Sequence, residues 1–268
     1  MNSVILNTAK KIVTENYTSK GNQPKWISDG RWYKADHMGY EALSEVVISR
    51  ILEKSNIDSF VKYKPVMIDY NDEIYRGCVS ENFKGKNQEI ITLERLHRAY
   101  FGIGMAEAIA KQEGVREKII YTVDFAKQVT GIEEVGSYFS ILLSLDALFL
   151  NEDRHTNNIA FLRENGNFQL CPVFDNGLAL LSDINDYPFD RDIYENIRKV
   201  KAKPFSTDFD EQLDAAERLY GACLKINLKK ADVYELFEDL EGFYDEKTLY
   251  RARKVILTQM DKYSYFFN

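Results

Sequence analysis

Cysteine is scarce in this chain, and the little there is lies scattered. Cys78, Cys171 and Cys223 are odd in number and far apart, so they form neither a disulfide framework nor a metal-ligand spacing. Each reads as a small buried hydrophobe, and a reducing, cytoplasmic setting is the expectation. An excess of positive charge is also missing. At a net charge of -7 the chain lacks the basic footprint of a protein that grips a nucleic-acid backbone. A local basic patch stays open, but no direct nucleic-acid partner is expected. Long apolar runs are absent too. The longest, Phe139 to Leu150, is interrupted by Asp146 and is too short to span a bilayer. Residues Met1 to Asn7 show no basic stretch leading into a long apolar core, which argues against a secretory signal. A soluble protein with no membrane partner is expected. Internal repeats and low-complexity tracts do not occur, which excludes solenoids and repeat arrays.

What remains is ample for a folded core. A hydrophobic fraction of 45% with 13% aromatics argues against disorder, and 268 residues suit one large domain or two lobes. The first eighty residues read as strand-rich. Residues 12 to 17 form a candidate strand, and Asp29-Gly30 is a two-residue turn signal between 25–28 and 31–34. Residues 41 to 55 carry a helical apolar stripe, and 61–69 and 74–80 alternate about Tyr70 to Glu73. Five strands and one helix are thus expected. A polar linker follows at 81–88. Helical periodicity then dominates at 92–112, 117–130, 134–150, 208–224, 229–240 and 245–265, with short strands at 159–162 and 168–173 around Glu164 to Asn167. The expected fold class is α+β. It comprises a small β-rich N-lobe over residues 1–83 and a larger helical C-lobe over 84–268, a bilobal protein-kinase-like arrangement.

The chemistry concentrates in Asn151-Glu152-Asp153-Arg154-His155-Thr156-Asn157-Asn158 and in Asp175, which follows a strand. Phosphoryl transfer needs a base beside the attacking hydroxyl and oxygen ligands holding magnesium against the phosphates of ATP. Asp153, just past a long apolar helix, suits the base. Asn158, before a strand, and Asp175, at the end of the next, suit the metal. Cap and turn chemistry by Asn and Asp is the alternative at each position, and an Asp-Asn-Gly turn alone would be uninformative. Arg154 and His155 stabilise the loop or touch phosphate, and the base role is not assigned to His155. Asp146, inside an apolar helix, needs donors and is expected to tie down backbone groups of residues 151–155.

Lys34 closes an aromatic-rich strand. It either pairs the α- and β-phosphates, held by Glu45 or Glu41 of the following helix, or is a solvated strand-end cation. Glu45 is the better partner because it heads the apolar run Val46-Val47-Ile48. Val79 to Phe83, Val79 and Glu81 among them, fall where adenine would meet linker backbone. Thr18 to Lys25 forms a loop able to present amides to phosphate, though a plain surface loop fits as well. It is neither a Walker A motif nor a three-glycine kinase loop.

Taken together, these residues resemble the HipA-like serine/threonine kinases, a bacterial family with ties to the phosphatidylinositol 3- and 4-kinases. Gly21-Asn22-Gln23-Pro24-Lys25 resembles that family's G-x-Q-x-K loop, and Arg31 to Lys34 its lysine-bearing strand. Ser44-Glu45 is similar to its N-E helix, Asn151 to Asn158 to its N-x-D-R-H-x-x-N loop, and Pro172 to Asp175 to its metal-binding segment. The resemblance implies ATP and magnesium as cofactors, Asp153 as base, Asn158 and Asp175 as metal ligands, and Lys34 as the phosphate-binding cation. It also implies nucleotide contacts from Gly21, Gln23 and Lys25, with Thr18 and Ser19 as autophosphorylation candidates. The extra N-terminal domain of full-length HipA proteins is expected to be absent, so antitoxin contacts made through it do not transfer.

The expected function is an ATP- and magnesium-dependent serine/threonine kinase acting on a protein, as a toxin of a toxin–antitoxin pair or an effector. An antitoxin or other regulatory protein is the expected partner type. A lipid or small-molecule kinase is the second reading. The acidic segment Leu181 to Asp190 argues against a phosphoinositide. A nucleotide-binding pseudokinase regulator is the third.

Overall fold

The chain begins with two short strands, β1 (Ser3–Ile5) and β2 (Lys10–Ile12). Three hairpins follow, each made by the same turn chemistry. Asp29-Gly30, Asn71-Asp72 and Asn165-Gly166 each put two successive residues at positive φ, the backbone that matches a two-residue turn to the right-handed twist of its strands. Asn, Asp and Gly tolerate that backbone best. These turns join β3 (Lys25–Ser28) to β4 (Arg31–Ala35) and β5 (Lys64–Tyr70) to β6 (Glu73–Glu81). Beyond β7 (Glu89–Thr92), the third joins β8 (Ala160–Glu164) to β9 (Asn167–Leu170). All three turns agree with the sequence reading, while β1 and β7 were not anticipated.

The helices are α1 (Glu41–Leu52), α2 (Leu93–Phe101), α3 (Met105–Ala110), α4 (Val115–Thr130), α5 (Val135–Phe149), α6 (Ile193–Lys199), α7 (Phe209–Tyr220) and α8 (Glu246–Lys262). The single helix expected over 92–112 is two, because Gly102 turns left-handed at φ 75° and ends α2. The helix expected over 229–240 is a pair of 3-10 turns, Lys230–Val233 and Glu235–Leu240. Helix α6 was missed. The coordinates are a computed structural model describing residues 3–7, 9–12 and 23–268. Thr18, Ser19 and Gly21, and all but the start of the strand expected at 12–17, therefore lie outside the described residues. No helix among the described residues is long and apolar enough to cross a membrane.

Two compact units result. The first gathers Met1–Phe83, Asp175–Lys199 and Ile226–Asn268. Its six-stranded sheet runs in the order β1-β5-β6-β4-β3-β2, and only the β1–β5 pair is parallel. Strand alternation sorts the two faces. Trp26, Tyr33, Val66 and Ile68 build the core on one face, with Val79 packed beside them. Lys25, Lys34 and Cys78 are register partners across neighbouring strands and alternate to the other face. Helix α1, buried along nearly its whole length, packs against β4, β5 and β6. Two carboxylates organise its N-terminus and the turn before it. Asp36 Oδ1 accepts from the Ala42 amide at 2.7 Å, and the Glu41 carboxylate accepts from the amides of His37, Met38 and Gly39.

The second unit comprises Lys84–Phe174 and Val200–Lys225. A three-stranded sheet, β7-β8-β9, accompanies α2 to α5 and α7. Helices α4 and α5 both pack on α7. Helix α5 is apolar nearly all round and ends at Leu150, held left-handed at φ 55°. That residue tips the chain out of the helix into residues 151–158.

Candidate functional site

In the first unit, β4 and α1 bring a lysine and a carboxylate together in the interior. Lys34 Nζ pairs with Glu45 Oε1, and it lies 2.9 Å from Asp175 Oδ1. Glu45 reaches further, since its Oε2 accepts from the Asn176 amide at 3.0 Å. Asp175 takes a left-handed backbone at φ 59°, and its Oδ2 lies 3.8 Å from Lys25 Nζ. Two lysines on adjacent strands thus converge on one carboxylate. Like charges directly opposed repel, and the Asp175 carboxylate between them offsets that repulsion. Burial alone would push the Lys34 ammonium pKa down. The Asp175 and Glu45 charges outweigh it and hold the group well above the ordinary lysine value. The same burial pushes up the neighbouring Cys78 thiol and Tyr63 hydroxyl. Lys34 is therefore a buried cation, not a solvated strand end. Its helix partner is Glu45, while Glu41 is committed to the amides of the turn at 37–39.

The chain after Asp175 is strapped to α1 and the turn before it. Ser44 Oγ donates to the Ala179 carbonyl at 3.0 Å, and Tyr40 Oη to that of Leu180 at 2.8 Å. Gly39 bridges Asp183. A Cβ on Gly39 would stand 2.1 Å from the Ser182 carbonyl oxygen, so this close approach requires glycine.

In the second unit, the loop 151–158 is organised by Arg154, a fully buried cation. Its Nε meets both carboxylate oxygens of Asp146 at 3.1 Å. Its Nη1 donates to the carbonyls of Asn158 and Phe174, each at 3.1 Å. Asn151 Nδ2 adds a bond to Asp146 Oδ1 at 3.0 Å. The Asp146 carboxylate therefore ties the loop through the side chains of Asn151 and Arg154, and of the backbone groups that the sequence pointed to, the Asn151 amide meets the Asp146 main-chain carbonyl at 2.9 Å. Burial pushes the Asp146 carboxyl pKa up despite Arg154. Arg154 is thus a structural clamp whose carbonyl ligands belong to Asn158 and to the residue preceding Asp175.

Asp153 projects from this clamped loop. Its Oδ2 lies 3.4 Å from Asn158 Nδ2 and 3.7 Å from His155 Nε2. Asn158 Nδ2 also donates to the Asp153 carbonyl at 2.9 Å, which turns its amide oxygen the other way. That oxygen accepts no hydrogen bond among the described residues. An amide oxygen such as that of Asn158 is a hard donor of the kind magnesium takes, as is, in the first unit, the Asp175 carboxylate. His155 Nδ1 is buried without a partner among the described residues. A further cation was missed by sequence reasoning. Lys203 Nζ lies 3.5 Å from Asp153 Oδ1, yet it stands far along the chain in a segment with no recognisable motif.

The remaining expected residues make other contacts. Val79 turns its side chain to the core face of the sheet, and Glu81 pairs with Arg31 at an exposed strand end. The Gln23 amide nitrogen is buried with no partner among the described residues.

No family model and no curated protein matches this chain. Among solved structures, it is similar to the Helicobacter pylori proinflammatory kinase CtkA, with a TM-score of 0.67 at 15% identity over 98% of this chain and 96% of that one. A weaker likeness links it to HipA of Shewanella oneidensis MR-1, from a toxin–antitoxin complex with HipB and operator DNA. There the TM-score is 0.46 at 12% identity, over 93% of this chain and 66% of that one. The fold is thus α+β and kinase-like, as the sequence led one to expect.

Proposed function

We propose that this protein is an ATP- and magnesium-dependent kinase of the HipA-like type, transferring the γ-phosphoryl group to serine or threonine hydroxyls of a protein. The observation that carries the reading is the buried Lys34 held between Glu45 and Asp175, on a kinase-like fold. Residues 1–83 serve as the nucleotide-binding lobe and 84–268 as the lobe bearing the catalytic loop.

In this reading Lys34 draws charge from the α- and β-phosphates, and Glu45 keeps the ammonium aimed. Asp175 and Asn158 would hold magnesium, which when bound would supply charge neutralisation at the phosphates. Asp153 accepts the hydrogen bond of the incoming hydroxyl and takes its proton as the new ester forms. Arg154 adds no chemistry; it holds the Asn158 and Phe174 carbonyls. Positioning then supplies most of the rate. Gly21, Gln23 and Lys25 complete the phosphate loop, and backbone from Val79 to Glu81 meets adenine. Thr18 and Ser19 are the candidate autophosphorylation sites. An antitoxin or other regulatory protein is the proposed partner class, and the cytoplasm the proposed location.

The test is incubation with labelled ATP and magnesium, alone and with cell lysate, followed by mapping of labelled residues by mass spectrometry. Asp153→Ala should keep nucleotide binding and lose transfer. Asp175→Ala should also lose the magnesium-dependent part of binding. Undiminished labelling by either variant refutes the assignment, and label on lipid in place of protein would favour the lipid-kinase reading.

A further inference from the structure

Resting on the kinase reading above, we infer that Lys203 is a catalytic residue whose ammonium moves from Asp153 onto the transferring phosphoryl group. Three observations support this. The first is placement, since Lys203 Nζ lies 3.5 Å from Asp153 Oδ1, while Asn158 and His155 crowd the other carboxylate oxygen. The base therefore has a metal-ligand side and a cation side.

The second is how firmly the lysine backbone is held. Fully buried Gln212, on α7, donates through Nε2 to the Lys203 carbonyl at 3.1 Å. The Ala202 amide donates to the Thr207 carbonyl at 3.0 Å. Phe205 is buried with its ring 6.1 Å from that of Phe139 on α5. Val200 and Ala202 face inward while Lys201 is exposed. A short irregular segment is thus fastened at several points, and it carries the Lys203 ammonium to Asp153.

The third is that stability gives this pair little reason to exist. The Lys203 side chain is 40% exposed, and half-exposed pairs of this length contribute little to folding. A cation beside the base matters more when charge develops there. The bond between the substrate oxygen and the γ-phosphorus forms as the bond from that phosphorus to the β–γ bridging oxygen breaks. The hydroxyl proton passes to Asp153, and ADP departs with the electron pair. Negative charge on the phosphoryl oxygens is then greatest within reach of Lys203, and Asp153, now protonated, no longer holds the ammonium. A donor used in this way stabilises the transition state more than the ground state.

The experiment uses the full chain and compares Lys203→Ala, Lys203→Arg and Lys201→Ala. Lys201→Ala removes the same charge two positions away. Transfer of labelled γ-phosphate should fall about 10²-fold in Lys203→Ala, as for loss of one preorganised donor, with KM for ATP unchanged. Lys203→Arg should recover most of that loss, and Lys201→Ala should match the unaltered protein. Binding of magnesium–ADP with aluminium fluoride, which mimics the phosphoryl group in flight, should weaken at least tenfold in Lys203→Ala while ADP affinity holds. Unchanged transfer in Lys203→Ala overturns the inference, and so does equal loss in Lys201→Ala. Slower transfer with undiminished fluoride-complex binding also overturns it, because Lys203 would then act only by holding Asp153. If the unaltered protein neither transfers phosphate nor forms the fluoride complex, the kinase reading itself fails.

Discussion

Replacing Arg154 with methionine tests whether the loop 151–158 is held by one buried ion pair. The substitution keeps an unbranched chain of similar reach and removes only the guanidinium. It leaves Asp146, fully buried, with Asn151 Nδ2 as its remaining side-chain donor, and takes a donor from the Asn158 and Phe174 carbonyls. Breaking a buried pair by removing one partner costs about 3–5 kcal/mol, and each carbonyl that loses the guanidinium bond adds about 1 kcal/mol. Burial already pushes the Asp146 pKa up, so the orphaned carboxyl can take a proton, and this limits the loss. We expect about 4 kcal/mol, a large share of a domain's total stability of about 5–15 kcal/mol. Both tryptophans, Trp26 and Trp32, lie in the first unit, so their fluorescence is the wrong probe. Urea unfolding followed by far-UV circular dichroism reports the helices of both units, and hydrogen exchange at α5 and at residues 153–158 reports the second unit and its loop. The double variant Arg154→Met with Asp146→Leu should recover part of the loss, because it removes both charges together. A loss below about 1 kcal/mol in Arg154→Met, the worth of an exposed pair, would refute the reasoning. So would a double variant no better than the sum of the two single ones.

Other outcomes follow from the first unit. Burial raises the Asp36 carboxyl to about 7 from an ordinary 3.8, although Ala42 and Tyr244 donate to it. The folded form therefore binds a proton that the unfolded form releases. This contribution is fully present below pH 4 and is lost as pH rises to about 7. Asp36→Asn should flatten that part of a melting-temperature profile; an unchanged slope would reject the assignment. Lys34→Met takes the buried cation from Glu45 and Asp175 and should cost both stability, by about 3 kcal/mol, and ATP affinity by calorimetry. Undisturbed nucleotide binding would remove Lys34 from the site. Gly39→Ala forces a Cβ to 2.1 Å from the Ser182 carbonyl oxygen and should destabilise by about 1–3 kcal/mol as overpacking does. Gly30→Ala meets open space and should cost about 1 kcal/mol for left-handed strain alone. Equal melting temperatures for the two glycine variants would show that the strap over α1 is slack.

Much of this was legible in the residues alone, wherever the governing physics is local. Asp29-Gly30, Asn71-Asp72 and Asn165-Gly166 declare their turns because positive φ favours only a few residue types. Strand alternation puts Lys34 and Trp26 on opposite faces whatever packs there. The loop Asn151 to Asn158 was recognisable by spacing, and Gly102 could have warned that 92–112 breaks. Groups that meet across long stretches of chain were a different matter. Asp146 pointed to a tie with the loop, but only packing showed that the donors are the Arg154 guanidinium and the Asn151 amide. Glu41 and Glu45 looked alike until the turn at 37–39 claimed the first for its amides. Lys203 carried no signal, because its meaning depends on Gln212 and Phe205 fixing a segment distant from Asp153 in sequence. Periodicity and turn chemistry are properties of neighbours along the chain. Which charge meets which in the interior is decided only once tertiary packing has set the desolvation that makes each partner necessary.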